Sequence, residues 1–69
     1  MTPDELKAAR HALGLSTYDL AELLRVDPRT VRRWQGEGLP IPFAVEALLT
    51  LAIRFPQVRE FLRINDPTD

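Results

Sequence analysis

The stretch Leu15–Glu37, LSTYDLAELLRVDPRTVRRWQGE, decides how this chain folds. Ser16, followed three residues later by Asp19, reads as a short capping box that opens a helix. Leu20, Ala21, Leu23 and Leu24 give that helix its apolar side. Asp27-Pro28 starts the next one, with Asp27 as cap and Pro28 in the first helical position, and the helix runs over 28–35. Only two or three residues, around Arg25 and Val26, separate the two helices. So tight a link forces a steep crossing, and the spacing predicts a helix-turn-helix over about 16–36. At about 100° per residue, Val31 and Trp34 share one side of the second helix while Arg29, Arg32 and Arg33 cluster on the other.

Outward from this unit the signals stay helical. Thr2-Pro3-Asp4-Glu5 combines a cap, a first-position proline and a capping-box glutamate. Leu6, Ala9 and Leu13 recur on one face before Gly14 stops the helix. Beyond Gly36-Glu37-Gly38, the segment Leu39-Pro40-Ile41-Pro42 reads as an extended connector. A fourth helix is expected from Pro42 to about Arg54 and a short fifth from Pro56 to about Ile64. No stretch alternates as a strand does, so the expected class is all-α, a compact bundle of about five helices. One domain over about 1–66 is expected, with a polar tail at 67–69.

A chain of 69 residues makes a marginal core, since a domain this small buries only about 60% of its unfolded surface. It has no cysteine, and so neither a disulfide framework nor a thiolate metal site. Its first residues carry acids rather than an apolar run, and the mostly apolar stretch 43–53 is too short to span a bilayer. A soluble cytoplasmic protein is the expectation. One histidine, no Gly-rich phosphate loop and no clustered carboxylates argue against an enzyme, and no cofactor, metal or small-molecule ligand is expected.

The formal net charge of −1 argues against nucleic acid until the charges are placed. Between Arg25 and Gln35 stand four arginines, Arg25, Arg29, Arg32 and Arg33, against one acid, Asp27. Screening confines each charge to about 8–10 Å, so this local excess outweighs the total. Arg29 and Arg32 have no acid at i±4 to neutralise them. Arginine also suits bidentate contact with guanine and pairs well with phosphate. A solvated charged face remains the plain alternative for such a helix surface.

The combination of Leu20-Ala21, Val26, Thr30-Val31 and Arg33-Trp34, with Ala9-Arg10 and Leu13-Gly14-Leu15 before it, resembles Cro/repressor-type (XRE, lambda-repressor-like) transcription regulators. The likeness covers about the first 42 residues. Short phage or mobile-element regulators, anti-CRISPR-associated repressors among them, share this size and layout. The resemblance implies backbone phosphate contacts from Ser16 and Thr17, and base reading by Arg29, Arg32 and Arg33. Thr30 is implied as a phosphate or base contact, and Pro28 offers at most apolar contact to a thymine methyl. Three positions depart from the family pattern. Arg25 stands where glycine is usual, which strains a left-handed residue but adds a backbone phosphate contact. Gln35 replaces a glutamate that pairs with the helix-one arginine, so neutral hydrogen bonds to Arg10 are expected. Thr17 replaces a longer glutamine.

The fourth helix points to a partner. Glu46, Thr50 and Arg54 form one polar stripe, and apolar side chains cover the rest of it. Phe43, Leu48, Leu51, Phe61 and Leu62 are the expected dimerisation residues, although the fifth helix and the tail alternatively complete the core alone. A two-fold dimer on double-stranded DNA implies an inverted-repeat operator, and repression is the default for a chain without a sensor domain. An antitoxin, or a protein-interaction module on the same fold, is the competing class. His11 is read as a surface residue, Tyr18 as packing at a helix edge, and Trp34 as core.

Overall fold

A computed structural model describes residues 1–36 and 38–62; the expected end of the fifth helix near Ile64 and the polar tail fall outside them. The elements are α1 (Pro3–Ala12), α2 (Thr17–Leu24), α3 (Pro28–Gln35), α4 (Phe43–Arg54) and α5 (Pro56–Leu62), with no strand among the described residues. Each start follows from a local signal. Thr2 and Glu5 exchange side-chain and backbone hydrogen bonds at α1, and Ser16 and Asp19 do the same at α2. Asp27 caps α3 through the Arg29 amide, with Pro28 in the first turn.

The first two helices end alike. After α1, Gly14 is left-handed (φ 71°), its N–H bonds the His11 carbonyl, and the Leu15 N–H bonds that of Arg10. After α2, Arg25 is left-handed (φ 62°), its N–H reaches Glu22, and the Val26 N–H reaches Ala21. Both are Schellman turns, and in both the following apolar residue, Leu15 or Val26, packs partly against the core. Glycine fills the strained position without steric cost in the first; in the second an arginine bears about 1 kcal/mol.

The core draws on four helices. Leu6 and Ala9 with Leu13 just past α1, Leu20 and Ala21 from α2, Val31 and Trp34 from α3, and Val45, Leu49 and Ala52 from α4 are buried together. α1 packs on both α3 and α4, α2 crosses α3, and α5 packs on α4. Trp34, at 5% exposure, is a core residue as expected. Arg59 of α5 donates to the Ala52 carbonyl near the end of α4 (3.2 Å), tying the last two helices together. Glu46 leaves the expected solvent-facing stripe to meet the α-amino group of Met1 at 3.3 Å. No helix among the described residues is long and apolar enough to cross a membrane.

Candidate nucleic-acid interface

Burial of Val31 and Trp34 fixes which way α3 faces. Arg29, Arg32 and Arg33 therefore project from its opposite side, all exposed, and line one open depression of about 360 Å³ with Gly36 and Gly38. The two glycines let the chain leave α3 close to the arginine stems. A Cβ at Gly36 would sit 3.3 Å from the Arg32 carbonyl oxygen, and one at Gly38 would sit 3.4 Å from the Cβ of Arg33. The Gly38 N–H closes the turn on the Arg33 carbonyl at 2.9 Å.

A polar tie spans three helices at the end of α3. Arg10 of α1 donates from Nε to Oε1 of Gln35 (3.2 Å) and from Nη1 to the Leu15 carbonyl (2.9 Å). The Gln35 amide nitrogen donates in turn to Oγ1 of Thr17 (3.3 Å) and to the Val31 carbonyl (3.4 Å). The bond from Arg10 to the neutral Gln35 amide is the one the family resemblance implied. Thr17 differs: its hydroxyl oxygen serves this tie, leaving only the O–H as a donor for a phosphate. Ser16 is similarly committed. Its Oγ accepts from the Asp19 N–H (3.0 Å) while its own N–H bonds the Asp19 carboxylate (3.2 Å).

Arg29 corrects a further expectation. The acid that neutralises it is not at i±4 but at i−2. Asp27 accepts from the Arg29 backbone N–H (2.8 Å) and from its Nε and Nη2 (3.3 Å each). The Arg29 side-chain hydrogen bonds, followed by the backbone one, hold the Asp27 carboxyl below the usual aspartate value. Arg25, Arg32 and Arg33 make no ion pair among the described residues. Arg25 stands exposed on the turn itself, whereas Thr30 is half-buried in the first turn of α3.

One further residue sits other than expected. Tyr18 is 62% exposed at the start of α2 rather than packed at a helix edge. Leu62 packs partly against the core, the alternative the sequence left open for the fifth helix. Leu48 is half-buried, while Phe43, Leu51 and Phe61 are exposed, the first at 78% and the last at 85%. Phe55, which sequence reasoning did not single out, is also exposed. Its position just past α4 was visible in the sequence; its exposure was not.

A tight left-handed turn between two capped helices, with the arginine face of the second turned outward, defines the helix-turn-helix class. Residues 4–40, just over half of the chain, match the homeodomain-like domain family, and the chain belongs to it. Two relatives, each a transcriptional repressor protein KorC of Escherichia coli, are 41% identical to the chain. One alignment covers 49 residues (67% of this chain, 58% of the relative) and the other 51 residues (70% and 60%). The matched region thus spans about three-fifths of those relatives' length. No solved structure gives a significant match.

Proposed function

We propose that this protein is a sequence-specific DNA-binding transcriptional regulator that places α3 in the major groove. The observation that carries the reading is the convergence of Arg29, Arg32 and Arg33 on one open face of the second helix of a helix-turn-helix. Three guanidiniums so placed match the acceptor pair of guanine, O6 and N7. Arg25 on the turn reaches a flanking phosphate, and Thr30 contacts phosphate or a base edge. Ser16 and Thr17 contribute hydroxyl hydrogens to the backbone, joined by the open amides at the start of α2. Repression is supported by the KorC relatives, which are transcriptional repressor proteins. The narrower Cro/repressor-type assignment is supported by the Arg10–Gln35 tie, which links the positions that resemblance pairs.

The acting species is a homodimer on an inverted repeat. Along α4, Phe43, Ala47 and Leu51 recur one turn apart on the side opposite the buried Val45, Leu49 and Ala52. Phe43 and Leu51 are exposed there, as are Phe55 and Phe61 nearby in the chain. A short chain gains most from covering such a surface with a second copy, and two-fold symmetry then offers recognition helices to half-sites about one helical turn apart. These apolar side chains equally favour a second reading, an antitoxin or interaction module whose partner is another protein.

Selection of the purified protein on a random duplex library tests both. Enrichment of an inverted repeat with guanines in each half supports the operator-binding dimer. Weak, steeply salt-dependent binding without enrichment rejects sequence readout and favours the protein-partner reading. A monomer in sedimentation at micromolar concentration rejects the dimer.

A further inference from the structure

Three donors of Arg29, its backbone N–H, Nε and Nη2, converge on the single carboxylate of Asp27. The backbone bond ties the carboxylate to the first turn of α3, so the guanidinium is held against a fixed point of the helix rather than a second mobile side chain. Both side-chain bonds use one edge of the guanidinium, the Nε/Nη2 edge. The adjoining edge, carrying one hydrogen of Nη1 and the outer hydrogen of Nη2, is left open. That edge is a parallel two-donor fork, and its spacing matches the two acceptors of guanine in the major groove. Among the described residues, neither Arg32 nor Arg33 has such a support.

We infer that Asp27 is a positioning residue for base recognition, holding Arg29 so that its Nη1/Nη2 edge meets a guanine. The inference rests on the major-groove reading of α3. Two physical effects act in the same direction. An arginine already fixed by its neighbour gives up less rotamer freedom on binding, and it gives it up for one geometry only. The carboxylate also places a negative charge inside the arginine cluster, which weakens attraction to phosphates of any sequence. Asp27 thus trades general affinity for discrimination. A residue that merely capped α3 would alter specific and random binding together.

The test uses the full chain on three duplexes: a selected site, the same site with guanine replaced by adenine at the position Arg29 reads, and a random sequence. Arg29→Lys, which keeps the charge but loses the fork, locates that position. Asp27→Asn retains a capping oxygen, so α3 keeps its start. A good bidentate contact discriminates against the wrong base by roughly 5- to 150-fold. Asp27→Asn is expected to cut the guanine-over-adenine ratio about three- to tenfold while raising random-duplex affinity about two- to threefold. Added to Arg29→Lys, it should lower the ratio no further. Equal changes on all three duplexes, or an intact guanine preference, overturn the role of Asp27 alone. A wild-type protein that binds selected and random duplexes equally overturns the major-groove reading along with it.

Discussion

Replacing Gln35 isolates the tie that joins α1, α2 and α3. Gln35→Ala removes the acceptor for Arg10 Nε and the donor to Thr17, while Arg10 keeps its bond to the Leu15 carbonyl. Hydrogen bonds to charged groups contribute about 1.5–3 kcal/mol when buried, and neutral ones about 1. The site is only partly buried, so water recovers part of both, leaving about 1.5 kcal/mol lost. Alanine's better helix propensity returns about 0.4 kcal/mol. The net cost is then about 1 kcal/mol. For a chain this short, unfolding entropy near 2.1 cal/mol/K per residue converts 1 kcal/mol to about 7 °C in melting temperature. Circular dichroism at the helix band should show that drop. Gln35→Glu should instead match or exceed the wild type at low salt, with the advantage fading as salt screens the new pair with Arg10. A Gln35→Ala protein melting within 2 °C of the wild type refutes the assignment of the tie as a stabilising element.

Other outcomes follow from single residues. Arg33→Ala should cost about 1–3 kcal/mol on a selected site and relax preference at one base pair; equal losses on random duplex in a binding titration identify a phosphate contact instead. Arg25→Gly relieves the left-handed residue, raising stability by about 0.5 kcal/mol once glycine's greater unfolded freedom is counted. The same change should make the salt dependence of DNA binding shallower by about one unit, and an unchanged slope rejects the phosphate role. The depressed Asp27 pKa sets the direction of one pH effect. Its contribution is present above the ordinary aspartate value near 3.9 and is lost as pH falls through the lower folded value. The melting-temperature gap between wild type and Asp27→Asn should therefore hold from pH 7 to about 5 and close below about pH 4. A gap unchanged down to pH 2 counts against the pair.

Much of the architecture was legible because its signals are local. Capping boxes at Thr2/Glu5 and Ser16/Asp19, the Asp27-Pro28 start and the Gly14 stop each act over three or four residues, and the structure contains all of them. Burial of Val31 and Trp34, with the arginines opposite, follows from helical period alone once the core side is known. The Asp27–Arg29 contact escaped pattern reading for a definable reason. Side chains two apart do not face each other within a helix, but Asp27 lies just outside α3 in extended conformation, which lets its carboxylate fold over the first turn.

The sequence by itself determined where the first four helices begin and end, that the turn at Arg25 is tight, and which face of α3 carries charge, because those properties depend on neighbours along the chain. Only the tertiary structure decided that Gln35 also meets Thr17, 18 residues away, and that Glu46 turns toward Met1. It also decided that Tyr18, Phe43 and Phe61 stay exposed while Leu62 is drawn toward the core. Each of these depends on how α1, α4 and α5 settle against the helix-turn-helix, and a hydrophobic side chain carries no mark of which neighbour will cover it.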